Sequence, residues 1–434
     1  MVVQHAYRFA LDPTVEQRRA LQSHCGAARF AFNWGLREVK RTMDARRIER
    51  QLLGGTLTEP LSWTVPALRR QWNQTKAEVA PWWAENSKEA YSSGLDALAR
   101  ALRAWSTSRR GVRLGERVGF PRFRKRGHRD SCRFTTGAIR LNDDRHLTLP
   151  RLGRLRSGER TGALLRRLEA STARILSATV VREADRWFVS LTCEVERAVV
   201  ASNGQGDVIG VDLGVHALAA LSTGERVAGP RPLRSSLRRL QRAQRVVSRR
   251  RRGSVRRRRA IRRLARIHVR VGNLRRHHLH TLTTRLAKSH GTVVVEDLNV
   301  RGMTRSGRGT VEEPGRNVAA KAGLNRSLAD QSFGGLRRML EYKCCWYGSR
   351  LVVAPRFFAS SKRCSGCGVV RDGLRLEERV FRCAACCLHL DRDVNAARNL
   401  VWWATVAQDV AGSAPETENA RRGATAIRPL AGEA

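Results

Sequence analysis

Apolar residues recur at three- and four-residue spacing along "PTVEQRRALQSHCGAARFAFNWGLREVKRTMDAR", which starts at Pro13 and predicts a long amphipathic helix. The "YRFAL" ahead of it, residues 7 to 11, reads as a short strand. Helical periodicity continues, interrupted by loops, through "ALRAWSTSRR" near residue 110. The texture then changes. From "GFPRFRKRG" at 119 to "RWFVSLTCEVE" ending at 196, short alternating stretches such as "HLTLP" and "ATVVREADRWFVSLTCEV" are separated by turn residues, which predicts a β-rich module. After the polar link "ASNGQGD", the run "VIGVDLGVHALAALSTGERV" predicts a strand, a turn and a second strand. "GTVVVEDLNV" at 291 to 300 predicts another strand of the buried type. The segment from about 405 onward has the composition of a flexible tail.

Between the last two strand regions the pattern is helical but the charge is one-sided. Residues 226 to 295 hold 23 Lys or Arg and no Asp or Glu, with apolar residues still recurring every three or four positions. This predicts two amphipathic helices broken near Gly253 and Ser254. A charged run is ordinarily a solvated face of mixed sign. Here nothing neutralises the positive charge, so a phosphate backbone is the expected counterion. The whole chain agrees: 83 basic against 38 acidic residues leave a formal charge of +45 over 434 residues. A hydrophobic content of 41% with 10 Trp argues for two or three folded domains and against disorder.

The N-terminal residues lack a signal-peptide core, and no run approaches the roughly 18 apolar residues of a membrane span. The expectation is a cytoplasmic protein without a membrane partner. Its ten Cys should then be reduced, and closely paired Cys read as metal ligands. Cys364, Cys367, Cys383 and Cys386 form two Cys-x-x-Cys pairs with 15 residues between them, the spacing of one structural, tetrahedral zinc. Cys387 leaves open which neighbour supplies the fourth thiolate. Cys25, Cys132, Cys193, Cys344 and Cys345 are scattered and read as core or surface thiols, and His277, His278 and His280 as polar surface of the basic helix.

A zinc site of four thiolates needs no carboxylate, yet acids follow closely. Asp391 and Asp393 lead into "NAARNL", while "VIGVD" and "VVVE" each end an apolar run on a carboxylate, Asp212 and Glu296. Each acid alone has a plain explanation, as a strand end at a turn or a helix cap. Together they could converge on Mg²⁺, a hard ion that takes oxygen ligands.

"GVDLGVHALAALSTG", "VVVEDLNVRGM" and "DRDVNAARNL" resemble, in order and spacing, the three RuvC-like nuclease motifs of the TnpB (OrfB) family of insertion-sequence proteins. "YRFALDPTVEQRRALQSHCGAARFAFNWGL", "FPRFRKR" and "FFASSKRCSGCG" extend the likeness over most of residues 7 to 400. The resemblance implies a multidomain α/β protein with an RNase H-like (RuvC) nuclease core and an inserted zinc ribbon, preceded by a β-rich wedge module and a helical lobe. Its implied boundaries are 1–12 and 114–200 for the wedge, 13–113 for the helical recognition lobe, and 205–360 for the core with a basic helical insertion at 226–290. The ribbon follows at 361–390, the third motif at 391–405 and the tail at 406–434. Asp212, Glu296 and Asp393 match the metal-binding catalytic triad; Asp393 is preferred to Asp391 because it opens the string "DVNAA". The family usually has Gly where this chain has Cys387.

The implied activity is cleavage of double-stranded DNA matched to an element-encoded guide RNA, beside a short flanking motif, using two Mg²⁺ ions. The basic helices would lie against the guide–target duplex. A compact type V CRISPR effector shares this nuclease arrangement. A nucleic-acid-binding regulator that never cuts would lack a member of the triad, and none is missing here.

Overall fold

The computed structural model describes residues 1–113, 115–127, 130–198, 206–375 and 377–411, omitting the side chains of 407–411. The chain divides into two compact units, Met1–Ala198 and Val199–Ala434.

In the first unit, β1 (Val2–Leu11) is longer than the five residues expected, and it leads into α1 (Val15–Leu53). Thr14 accepts from the Gln17 N–H while the Gln17 side chain accepts from the Thr14 N–H, a reciprocal cap that fixes where the helix starts. Gly54, at φ 66, ends it in the left-handed conformation that costs glycine nothing. Next come α2 (Val65–Val79) and α3 (Lys88–Arg109). The α1 and α3 backbones pass very close. A Cβ on Gly94 would stand 2.1 Å from the Ala28 carbonyl oxygen, so the crossing requires glycine. The remaining elements are β2 (Ser131–Phe134), β3 (Arg140–Leu141), β4 (His146–Leu149), β5 (Gly153–Arg156), α4 (Gly162–Glu169), β6 (Ala173–Glu183) and β7 (Arg186–Glu196). β1, β7, β6 and β2 form an antiparallel sheet in that order, and β3, β4 and β5 a smaller one. Along β7 every second residue from Trp187 to Val195 is buried, as the alternation in "RWFVSLTCEVE" predicts.

The second unit is a layered α/β structure. Its sheet runs β10 (Arg226–Val227), β9 (Ala219–Leu221), β8 (Val208–Asp212), β11 (Thr292–Glu296) and β12 (Arg350–Ala354). β8, β11 and β12 are parallel, with Val211 opposite Val295 and Glu296 opposite Ala354. Parallel strands covered on both faces account for apolar runs without alternation.

Helices supply the covering layers. Between β10 and β11 lie α5 (Pro232–Arg249) and α6 (Val255–Ser289), broken at Gly253 and Ser254 as the periodicity predicts, with Ser254 capping the second. Three more helices, α7 (Val300–Met303), α8 (Val318–Gln331) and α9 (Phe333–Tyr347), precede β12. Ile209, Val211, Val293 and Val295 pack with Leu279, Leu282 and Leu286 of α6 and Leu336 and Leu340 of α9. Truncating one such buried Leu to Ala costs about 2–5 kcal/mol. Val294 and Ala354 meet the other layer, Leu400 and Ala404 of α10 (Arg392–Ala411). Ahead of α10 stands a small hairpin, β13 (Val380–Arg382) with β14 (His389–Asp391).

The final helix runs to Ala411, past the start of the segment expected as a flexible tail, because Leu400 and Ala404 anchor it to the sheet. The rest of that segment, 412–434, lies outside the described residues. Among the described residues, no helix is long and apolar enough to cross a membrane.

Candidate active site and zinc ribbon

Asp212 and Glu296 end neighbouring parallel strands in matched register, so both carboxylates stand at the C-terminal edge of the sheet. That edge is where open α/β sheets place their chemistry. The third acid arrives on α10. Gly210 makes this possible: a Cβ there would come within 1.9 Å of the Ala397 carbonyl oxygen, so the helix lies on the β8 backbone itself. One turn earlier in α10, Asp393 reaches the loop after β8. A Cβ built on Gly214 would be 3.9 Å from Asp393 Oδ2.

The electrostatics are those of acids forced together. Burial pushes the Asp212 carboxyl well above the ordinary range, and the negative Glu296, then Asp393, push it further, while Arg392 opposes. Burial raises Glu296 as well, against the hydrogen bond that Ser360 Oγ donates to it. Such a set is costly unless a cation neutralises it, and its donor atoms are all oxygens, which fits Mg²⁺.

Asp391 has a different job. Its Oδ1 accepts from the N–H groups of Asp393 at 2.9 Å and Val394 at 3.2 Å, and its Oδ2 pairs with Arg226 at 3.2 Å. It therefore caps α10. The neighbouring Asp297 is also committed, to Arg337 at 2.5 Å and Arg356 at 2.7 Å, which hold its carboxyl below the usual range.

Cys364, Cys367, Cys383 and Cys386 come together with all four Sγ atoms within 4.8 Å of one another. Among the described residues theirs is the one cluster of three or more possible ligands with that spacing. The Cys364–Cys386 and Cys367–Cys383 sulfur separations are each 3.5 Å. A tetrahedron of zinc–sulfur bonds has edges of about 3.8 Å, so the cluster is compatible with zinc. Backbone N–H groups, that of Cys386 foremost, draw the Cys383 thiol down to about 6, which favours the thiolate a metal needs. Cys387 is outside the cluster. It takes φ 57, a left-handed turn position that suits glycine, so Cys386 is the fourth member of the cluster.

Polar side chains of α10 that no motif singles out join the ribbon to the segment before it. Asn395 and Asn399 are one helical turn apart on α10 and almost fully buried. Asn395 Oδ1 accepts from the Ser365 N–H at 3.0 Å, and its Nδ2 donates to the Arg363 carbonyl at 2.7 Å. Asn399 Nδ2 donates to the carbonyls of Ser360 at 2.7 Å and Arg363 at 2.6 Å. Two asparagines four apart in "NAARN" are the available sequence signal.

Leu240 and Val247 of α5 and Ile267 and Val271 of α6 are buried, while Arg239, Arg259, Arg262, Arg263, Arg266 and Arg270 line a cleft of about 690 Å³. The acid missing from these helices comes from α8. Asp330, 3% exposed, accepts from the N–H groups of Leu233 and Arg234 at 2.9 Å each and pairs with Arg275 at 3.2 Å. It holds the start of α5 against α6. Of the three histidines, His278 and His280 are partly buried, and burial lowers their affinity for protons.

Residues 190–307 match the OrfB_IS605 family model, described as "Probable transposase", and residues 333–400 match the Cas12f1-like TNB domain. Residues 1–47 match a model described as a helix-turn-helix domain, although here they form one strand and part of one long helix. The Mycobacterium tuberculosis protein named "Putative RNA-guided DNA endonuclease Rv2885c" is 40% identical over 411 residues, covering 91% of this chain and 85% of the relative. An Escherichia coli relative with the same designation, InsQ, is 32% identical over 399 residues, covering 91% of each chain. The Cas12f1 chain of a solved complex with sgRNA and target DNA shares the fold, with a TM-score of 0.53 at 12% identity over 92% of this chain and 99% of that one. The chain therefore belongs to the OrfB (TnpB) family of insertion-sequence proteins.

Proposed function

We propose that this protein is an RNA-guided DNA endonuclease whose second unit is an RNase H-like core, with Asp212, Glu296 and Asp393 as the metal-holding catalytic residues. The observation that carries the reading is the convergence of these acids, from two parallel strand ends and a helix start, into one half-buried negative site. Divalent ions held there, two of Mg²⁺ in this reading, would activate a water and stabilise the leaving oxygen of a phosphodiester. The chain's own part is to fix the carboxylates. Register sets Asp212 beside Glu296, the glycine-permitted approach of α10 sets Asp393, and the Asp391 cap frees Asp393 from helix-end duty.

Sequence selection would belong to an element-encoded guide RNA, with the α5–α6 pair against the guide–target duplex and double-stranded DNA as substrate. The names of the Mycobacterium and Escherichia relatives support this reading. The ribbon would hold one structural zinc. In domain terms, the ribbon and third motif close the core in the second unit, and the first unit carries the wedge and the helical recognition lobe.

The test is to purify the protein from its native host, sequence the RNA that comes with it, and assay cleavage of DNA matched to that RNA with Mg²⁺ present. Guide-dependent cutting by the parent and none by Asp212→Ala is the expected result. Equal cutting by both would reject the assignment.

A further inference from the structure

The loop between β12 and the ribbon passes the carboxylate site and is tied to it at both ends. It begins where Ala354 pairs with Glu296 across the strands, and Ser360, 4% exposed, returns to the same residue by donating its hydroxyl to Glu296 Oε1. The Ser360 carbonyl accepts from Asn399, Asn399 also donates to the Arg363 carbonyl, and Asn395 bonds Arg363 and the Ser365 N–H on either side of Cys364. Hydrogen bonds joined through the Ser360 backbone thus link the residues on either side of Cys364 to a carboxylate of the site, through buried or half-buried groups. The two asparagines come from the same helix as Asp393, which lies in its first turn.

We infer that Ser360 is a positioning residue for Glu296, and that Asn395 and Asn399 couple the folded ribbon to the divalent-ion site. This rests on the proposed nuclease reading and deepens it. A carboxylate with one oxygen held by a buried hydroxyl presents the other in a fixed direction, and losing such an outer partner typically costs 10- to 100-fold in metal affinity. Buried amides left half-paired are costly, so the two asparagines hold the Ser360–Ser365 stretch in one conformation only while the first Cys pair is folded around its own ion. The ribbon's zinc would therefore set the affinity of a second, chemically different metal site.

The experiment uses the full chain with its bound RNA and reads Mn²⁺ binding by electron paramagnetic resonance beside the Mg²⁺ dependence of cleavage. Ser360→Ala removes one hydroxyl and should weaken Mn²⁺ binding roughly tenfold or more and raise the half-saturating Mg²⁺ concentration to match, with much of the rate recovered at high Mg²⁺. Ser360→Thr keeps the hydroxyl and should restore both. Asn395→Ala should retain zinc, checked by metal analysis, yet lose Mn²⁺ affinity; if it fails to fold, Asn395→Asp, which keeps the acceptor for Ser365, takes its place. Unchanged Mn²⁺ binding and Mg²⁺ dependence in Ser360→Ala would overturn the inference. Asp212→Ala separates the two ideas, because the nuclease reading requires it to lose Mn²⁺. If Asp212→Ala also binds Mn²⁺ normally, the metal-site reading itself has failed.

Discussion

Gly210 lies so close under Ala397 that a single added carbon would sit 1.9 Å from the Ala397 carbonyl oxygen. The neighbour is helix backbone and cannot swing aside as a side chain would. Gly210→Ala should therefore lift α10 off β8, cost about 1–3 kcal/mol of stability and displace Asp393 from the site. Thermal unfolding and guide-directed cleavage measured together check it. A variant as stable and as active as the parent would mean that the close approach is dispensable.

The acids should divide by role. Asp212→Ala, Glu296→Ala and Asp393→Ala should each abolish Mg²⁺-dependent cleavage while guide and target binding survive, and a double variant should lose little more than a single one. Asp391→Ala removes a helix cap and should cost about 1 kcal/mol of stability while cutting persists. Cleavage time courses beside gel-shift binding distinguish these outcomes. A dead Asp391→Ala beside an active Asp393→Ala would exchange their roles.

Without divalent ions, stability should depend on pH through the same site. Asp212 and Glu296 have carboxyl pKa values raised in the folded state, so the native protein holds their protons at pH values where the unfolded chain has released them. Their favourable contribution is fully present below the ordinary carboxylate range and is lost as pH rises through the raised values. Asp212→Asn should remove most of that loss. In chelator at neutral pH it should melt above the parent, whereas only the parent should gain stability on adding Mg²⁺. Melting curves across pH with and without Mg²⁺ test the sign.

The ribbon should bind about one zinc per chain through four thiolates. Cys364→Ser or Cys383→Ser should lower zinc content and destabilise the second unit. Cys387→Gly should keep the metal and relieve a left-handed residue, leaving stability equal or slightly higher. Metal analysis decides the matter; zinc lost from Cys387→Gly would restore that residue as a ligand.

Binding through the basic helices should carry a salt signature. Arg249, Arg250, Arg251 and Arg252 are exposed at the end of α5 and in the turn after it. Replacing all four with Gln should weaken RNA or heteroduplex binding and flatten the slope of log affinity against log salt by up to about 3–4, if each meets one phosphate. An unchanged slope would make them ordinary solvated surface.

Much of this architecture was legible because single-pattern segments dominate it. "VIGVD" and "VVVE" read as strands ending in acid, the break at Gly253 and Ser254 shows as lost periodicity, and the Cys spacing implies a four-thiolate site. The helix-cap explanation for the second acid pair proved correct for Asp391. What stayed hidden depended on long-range partners. Asp330 supports α5 from 97 residues away, and Ser360 reaches Glu296 across 64. Neither has a local pattern, since a serine or aspartate reads as loop polarity until the fold shows what it faces. The first strand extends five residues ahead of Tyr7 because its whole length, from Val2 opposite Glu196 to Leu11 opposite Trp187, pairs with β7, a partner distant in the chain that no local pattern reveals.

The placement of Asp393 on α10 has a consequence in time. During synthesis Asp212 emerges first, Glu296 later and Asp393 only with the final described helix, at about 5–20 residues per second. Between Glu296 and Asp393 the growing chain already displays its arginine-rich helices, α5 and α6. A chain interrupted between β11 and α10 would carry its arginine-rich helices with two of the three acids in place, which under the proposed function leaves a binder that cannot cut.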